Sequence, residues 1–99
     1  LYQGEELGLP EGEVPYERLQ DPVGKRLWPE VKGRDGCRTP MPWQADAPQL
    51  GFGVAEPWLP AQAAHRALAV DRQEADPAAL LHHVRHLLRW RRGHPALRL

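Results

Sequence analysis

The sequence has 99 residues, and its 11 prolines and 9 glycines make about a fifth of the chain unsuited to the interior of a helix or strand. This composition excludes a coiled coil and an all-helical bundle, while a hydrophobic fraction of 41% with four tryptophans argues against wholesale disorder. Thirteen acidic residues balance thirteen basic ones, so the net charge indicates neither nucleic acid nor an acidic partner, and no apolar run is long enough for a membrane span.

The beginning of the chain predicts the end of a strand. Leu1–Gln3 is a short apolar start without a methionine, and it runs directly into Gly4. The other terminus also lies inside an apolar stretch, so we expect a piece of a longer protein. The only cysteine is Cys37, which excludes an internal disulfide and a Cys-only zinc site. A reducing, cytoplasmic location fits this cysteine content best.

A long proline-rich loop follows, from Gly4 to about Pro60, with a proline or glycine in almost every six residues. Large apolar side chains interrupt it regularly: Leu27, Trp28, Met41, Trp43, Phe52 and Trp58. This pattern is typical of an ordered loop packed on a scaffold rather than of a flexible linker, and ordered loops of this length usually carry function. Within it, Tyr16–Gln20 is predicted to form a helical turn that Asp21 and Pro22 end.

The last predicted element is a helix from Pro77 to about Arg92, with Asp76 as N-cap and a stop signal at Gly93. One face is an apolar stripe: Leu80, Leu81, Val84, Leu87, Leu88 and the stem of Arg91. The other face carries His82, His83, Arg85, His86, Arg89 and Arg92. His82 and His86 have metal-ligand spacing, but no carboxylate or third ligand accompanies them, so no metal site is expected. The order strand end, loop, helix describes one βα unit without its sheet.

Three separated segments carry a family resemblance. They are residues 1–8 (Leu-Tyr-Gln-Gly-Glu-Glu-Leu-Gly), residues 33–43 (Gly-Arg-Asp-Gly-Cys-Arg-Thr-Pro-Met-Pro-Trp) and residues 88–97 (Leu-Arg-Trp-Arg-Arg-Gly-His-Pro-Ala-Leu). In this order they resemble the bacterial α-glucosidases of glycoside hydrolase family 13, in the α-amylase superfamily, and especially its oligo-1,6-glucosidase-like members. Residues 19–30 are also similar to the subgroup that hydrolyses short α-glucosides.

The resemblance implies an α/β fold in which residues 1–93 are the C-terminal part of a (β/α)₈ TIM barrel. Leu1–Gln3 would end the eighth strand, Gly4 to about Gln73 would be the eighth βα loop, and Pro77–Arg92 the eighth helix. His94–Leu99 would begin the connector to a C-terminal β-sandwich. As an isolated chain, we expect mostly coil with one C-terminal helix.

The resemblance also implies that the reacting carboxylates lie outside this chain. Retaining glycosidases use a carboxylate nucleophile and a carboxylic acid about 5 Å apart, and the family carries these groups on strands that precede Leu1. The adjacent Glu5 and Glu6 would point to opposite faces of an extended strand end. We therefore expect no catalytic residue here, and expect one of the two glutamates to bond loop backbone.

Arg34 is the expected substrate-binding residue. In the family pattern, the first arginine of the Arg-Asp-x-x-Arg-Thr-Pro-Met run lies at the bottom of the glucose pocket, where it pairs with an aspartate and binds sugar hydroxyls. A salt bridge that fixes the loop without touching sugar is the alternative. Arg38 is expected to pair locally with Asp35, and Cys37 to be a small buried residue. Met41 and Trp43 are expected to pack the loop on the barrel, with a pocket-lining role as the alternative.

The resemblance thus implies a parent enzyme that hydrolyses α-glucosidic bonds of short oligosaccharides with retention and transfers glucose to other acceptors. It also implies a chain that packs on the barrel strands and the C-terminal domain. We expect no cofactor and no metal in this chain. The 99-residue chain alone is expected to be inactive. The alternative is a non-enzymatic fragment that docks to another protein through its arginine-rich helix. The linkage, whether α-1,4, α-1,6 or sucrose-like, stays open.

Overall fold

A computed structural model describes residues 1–97 as short helices joined by ordered loops. The α-helices are α1 (Pro22–Leu27), α2 (Val70–Ala75) and α3 (Leu80–Gly93), and α3 is the longest. Short 3₁₀ helices lie at Glu5–Leu7, Tyr16–Arg18, Asp35–Cys37, Pro48–Gly51, Ala63–Leu68 and Pro95–Leu97. The expectation of a mostly irregular chain with one substantial C-terminal helix agrees with this arrangement.

The described residues contain no β-strand, and the strand expected at Leu1–Gln3 has no partner strand to pair with. Leu1 and Tyr2 are largely exposed instead. A strand needs a neighbour for its hydrogen-bond ladder, so these residues cannot form one within this chain. The connector expected at His94–Leu99 begins with the 3₁₀ turn Pro95–Leu97, and its residues 98–99 lie outside the described part.

The C-terminal helix starts three residues later than the sequence predicts. Asp76 does cap a backbone amide, since its Oδ1 accepts from Ala78 N at 3.0 Å, but this closes a separate turn before the helix. α3 itself begins at Leu80, and the side chain of Gln73 accepts from Leu81 N at 3.1 Å. The first turn of α3 is therefore satisfied by a residue from α2 rather than by the local cap.

A further helix, α1, was not predicted. Tyr16–Arg18 forms the expected turn, but Asp21 then starts a new helix, with Pro22 at its first position. The Asp21 Oδ1 accepts from Val23 N at 2.9 Å, the usual N-cap bond. The Asp-Pro pair was interpreted only as the end of the preceding turn, whereas the structure uses it as the beginning of the next helix.

The buried interior is small and divided. Val14, Leu19 and Leu59 form one cluster against which Trp28 packs. Buried apolar residues outside this cluster include Leu7, Pro42, Ala45, Leu50, Ala69 and Leu81. Most of the apolar stripe of α3 is uncovered, since only Leu81 of that helix is buried.

The chain exposes more surface than a self-contained protein of its mass. Its accessible area is 7346 Å² for 11.2 kDa, which is about 1,600 Å² more than folded monomers of that size expose. Its radius of gyration is 16.1 Å, against about 13 Å for a compact domain of this length. The loops and helices thus enclose a smaller hydrophobic core than a compact domain of this length has. No helix within residues 1–97 has the length and apolarity to cross a membrane.

Candidate functional site

The loop that carries Arg34 is fixed through its backbone, while the arginine side chain is exposed. Arg34 N donates to Asp21 Oδ2 at 2.8 Å, and Arg34 O accepts from Cys37 N at 3.2 Å. Among residues 1–97 the Arg34 guanidinium makes no ion pair, so its five N–H donors remain available to a ligand. The loop-fixing salt bridge considered as the alternative role is not present in this part of the chain.

A second carboxylate, that of Asp35, holds the segment from which Asp21 projects. Asp35 is completely buried, and its Oδ2 accepts from Gln20 N at 2.6 Å and from Asp21 N at 2.9 Å. Its Oδ1 is buried without a hydrogen-bond partner in the described residues. The expected side-chain pair of Arg38 with Asp35 is therefore wrong: within residues 1–97 the backbone amides bond Asp35 Oδ2, and Arg38 contacts Asp35 only through its own amide, which donates to Asp35 O at 2.9 Å.

Backbone amides also determine the charge state of Asp21. The hydrogen bond from Arg34 N is the main cause that lowers the pKa of the Asp21 carboxyl below its ordinary value of 3.8, and the bond from Val23 N lowers it further. Partial burial opposes this shift, and the positive charge of Arg38 adds to it. Asp21 is therefore a carboxylate at neutral pH, with both oxygens accepting hydrogen bonds.

Two glycines allow the close approach of these segments. Gly33 has φ +75°, and a Cβ at this position would lie 2.8 Å from Asp21 Oδ2. A Cβ on Gly36 would lie 2.5 Å from Gly12 O, and Gly12 N donates to Gly36 O at 2.8 Å. The backbone on both sides of Arg34 is thus packed where no larger residue fits.

A cavity of about 690 Å³ lies beside this loop. Its lining combines apolar and charged residues: Val14, Leu19, Trp28, Val31, Glu11, Glu13, Glu30 and Lys32, with neighbouring glycines and Pro15. Lys32 Nζ lies 5.6 Å from the centroid of the Trp28 ring, a cation–π distance. Gly33 and Gly36 on either side of Arg34 line this cavity, whereas Arg34 does not.

The structure also shows the hydrogen bonding or the burial of the other residues singled out in the sequence. Glu6 Oε2 accepts from Gly4 N at 2.9 Å, which confirms that one of the two glutamates bonds loop backbone, although within a 3₁₀ turn rather than a strand. Cys37 is exposed, so its predicted burial is wrong; its Sγ lies 3.0 Å from Arg34 O at the end of a short turn. Met41 is half-buried, and Trp43 stays 48% exposed.

The polar face of α3 makes local contacts. Arg85 forms an ion pair with Glu74, which lowers the pKa of Glu74 and raises that of Arg85. His82 Nε2 lies 3.2 Å from Glu74 O. No group of three or more potential metal ligands occurs among residues 1–97, and His82 and His86 gain no third ligand there.

The sequence interpretation did not anticipate that Asp21 holds the backbone of Arg34. A signal for Asp21 was present, since an aspartate before a proline is a strong N-cap pattern. The N-cap pattern does not predict the hydrogen bond of the second carboxylate oxygen, Oδ2, which accepts from Arg34 N thirteen positions further along the sequence. Such a contact becomes visible only when the two loop segments are brought together.

Comparisons with known proteins give a consistent result. The model of the alpha-amylase catalytic domain matches residues 1–99. A probable alpha-glucosidase of Rhizobium meliloti (strain 1021) is 56% identical over 97 residues, which are 98% of this chain and 17% of that protein. An oligo-1,6-glucosidase of Parageobacillus thermoglucosidasius is 30% identical over 114 residues, with 95% of this chain and 20% of that protein covered.

Among solved structures, the alpha-glucosyl transfer enzyme XgtA superposes with a TM-score of 0.89 at 59% sequence identity. The match covers 98% of this chain and 18% of that enzyme. The chain thus spans about a fifth of the length of the relatives it matches.

Proposed function

The chain belongs to the alpha-amylase family of glycoside hydrolases, glycoside hydrolase family 13, and from this membership we propose that it serves in an α-glucosidase acting on terminal α-linked glucose of short oligosaccharides. The observation that carries the proposal is the match of the whole chain to the family's catalytic domain, which includes the loop of Arg34. We propose retention of the anomeric configuration, with glucose transfer to other acceptors as a side reaction. The name of the structural relative, an alpha-glucosyl transfer enzyme, supports the second part.

Arg34 is the residue proposed to contact sugar. A guanidinium is a planar, permanently charged fork that can bind a carboxylate and two hydroxyl groups at once. The Arg34 backbone is fixed by Asp21, whereas its side chain is exposed and makes no ion pair within residues 1–97. These are the properties required of a side chain that closes the pocket at the non-reducing glucose.

The chain is proposed to be the last βα unit of a (β/α)₈ barrel, packed against the other strands. The surplus of about 1,600 Å² of exposed surface supports this arrangement, since one partner in an ordinary interface buries only about 800 Å². Leu87, Leu88 and Trp90 of α3 are all more than two-fifths exposed. They provide an apolar face for the remainder of the domain.

The reacting carboxylates are proposed to lie on that remainder. A retaining mechanism needs two carboxyl groups about 5 Å apart on either side of the anomeric carbon. Glu6 is already engaged with backbone, and Asp21 and Asp35 both hold loop amides. This chain would therefore contribute recognition and closure of the pocket, and would have no turnover by itself.

The experiment is a hydrolysis panel with the intact protein that carries this chain. Maltose, isomaltose and sucrose would be supplied separately and glucose release measured; the first-formed anomer would be read by proton NMR with sucrose and with p-nitrophenyl α-glucoside, whose only glucose unit is the one transferred. The proposal expects glucose release from at least one of the three sugars, and α-glucose to appear first from the substrates with a single glucose unit. Release of β-glucose first, or no release from any α-glucoside, would refute it.

A matched pair of variants then tests the role of Arg34. Arg34→Ala is expected to reduce kcat/KM by about 10- to 100-fold, the loss of one charge-assisted hydrogen-bonding group. Arg66→Ala is the control, because Arg66 is likewise exposed and in no ion pair within residues 1–97. Equal kinetics for the two variants would remove Arg34 from the site.

A further inference from the structure

Two aspartates hold the Arg34 loop by reciprocal carboxylate–amide bonds. The carboxylate of Asp21 accepts from Arg34 N at 2.8 Å, and the carboxylate of Asp35, next to Arg34, accepts from Asp21 N at 2.9 Å. Each aspartate thus holds the backbone of the segment that carries the other. We refer to this pair of contacts as the aspartate clamp.

The clamp is buried and tightly packed. Asp35 is completely buried and Asp21 is 8% exposed. Gly33 provides the clearance, because any Cβ there would lie 2.8 Å from Asp21 Oδ2. Gly24 packs equally closely, since a Cβ on it would lie 2.4 Å from Lys32 O. The two backbones therefore approach directly, with the Asp21 carboxylate between them.

A hydrogen bond that only fixed the loop would not have to involve the backbone amide of Arg34 itself. Arg34 lies just outside a 3₁₀ turn and has φ −109° and ψ 4°, in the sparsely populated bridge region. The bond from Asp21 acts on the amide of that residue, adjacent to the Cα from which the exposed side chain departs. Fixing this amide limits the directions in which the guanidinium can point.

We propose that Asp21 is a positioning residue for Arg34, acting through the backbone amide, and that Asp35 supports it by holding the amide of Asp21. The inference rests on the proposed function, because it assumes that the Arg34 guanidinium binds sugar. With the amide fixed, less orientational freedom is lost when substrate binds. Asp21 itself does not need to touch the sugar.

The test uses Asp21→Asn in the intact protein. Asparagine keeps one oxygen that can cap Val23 N, but its amide group cannot accept from Arg34 N where the second oxygen stood. We expect kcat/KM to fall about tenfold. KM should rise and kcat should stay unchanged, as when a contribution to substrate binding is lost. Asp21→Ser, which still caps the helix but is too short to reach Arg34, should give the same split.

The matched control is Asp71→Ala, because alanine removes both backbone bonds of the Asp71 carboxylate. Asp71 Oδ1 also accepts a long-range backbone bond, from Ala45 N at 3.1 Å, and also bonds an adjacent amide, Arg72 N at 2.8 Å. It makes no contact with Arg34. We expect its kinetics to match those of the unaltered protein within about twofold, because surface changes away from a site are usually small.

The decisive measurement is the double variant Asp21→Asn with Arg34→Ala. If Asp21 acts only through Arg34, its substitution changes kcat/KM by less than about twofold once the guanidinium is gone. An undiminished tenfold loss in that background would mean general loop damage and overturn the inference. No loss for Asp21→Asn alone, with Arg34→Ala impaired, overturns only the inference. No loss for Arg34→Ala overturns the proposed role of Arg34 itself.

Discussion

Gln73 joins three parts of the chain through one buried side chain. Its Nε2 donates to Leu7 O at 2.9 Å and to Leu68 O at 2.8 Å, and its Oε1 accepts from Leu81 N at 3.1 Å. These bonds connect the first 3₁₀ turn, the turn before α2 and the first turn of α3. Gln73→Leu keeps the approximate size of the side chain and removes all three bonds.

The cost follows from burial. The bonds to Leu7 O and from Leu81 N are both buried, and Gln73 is 5% exposed. Each buried group left without a partner costs about 1–3 kcal/mol, so we expect local stability to fall by about 2–6 kcal/mol. Because about 1.4 kcal/mol is a factor of ten, the Leu81 amide should exchange with solvent at least about 30-fold faster.

Hydrogen exchange of the Leu81 amide in the intact protein is the assay. Gln44→Leu is the control, since Gln44 is exposed and its side chain makes no hydrogen bond within residues 1–97. Gln73→Glu distinguishes the accepting role of Gln73 from its donating role. This variant retains an acceptor for Leu81 N and loses the donors to Leu7 O and Leu68 O. The reasoning is refuted if Gln73→Leu and Gln44→Leu leave Leu81 equally protected.

Three other outcomes are expected. Because the pKa of Asp21 is lowered in the folded state, its contribution to stability is complete above pH 3.8 and is lost as pH falls through the lower folded-state pKa; Asp21→Asn should flatten the pH dependence of unfolding there. Leu59→Ala, in the cluster with Val14 and Leu19, should lower the free energy of unfolding of the intact protein by about 2–5 kcal/mol, as measured in denaturant. The isolated 99-residue chain should not hydrolyse a chromogenic α-glucoside and should unfold without a cooperative transition; turnover above background by pure material would contradict this.

The sequence predicted the longest helix but misplaced its first residue for an instructive reason. Two Asp-Pro pairs occur, at Asp21 and Asp76, and the capping rule suits both. The structure starts a helix directly at the first pair and only an isolated turn at the second. At the second pair the first turn of α3 is bonded by the side chain of Gln73 instead of Asp76. Local pattern cannot reveal a tertiary cap of this kind.

The substrate-binding role of Arg34 stays a prediction, while the surroundings of this residue can be compared with the structure. The residue itself came from a family motif, and the structure places it exposed on a fixed loop. The partner of Arg38 was predicted wrongly, because nearness in sequence suggested Asp35, whereas the Asp35 carboxylate bonds amides 14 and 15 positions away. A family motif predicts which side chains meet a ligand. The carboxylates that hold the backbone beneath them depend on how distant loops pack.

Competitive inhibition of the intact protein by glucose tests the central claim most directly, because it isolates sugar binding from the chemical step. With an arginine that contacts the terminal glucose, the inhibition constant should rise at least about tenfold in Arg34→Ala. It should stay within about twofold in Arg66→Ala. An inhibition constant unchanged by Arg34→Ala would contradict the claim that this chain contributes a glucose-binding arginine to the site.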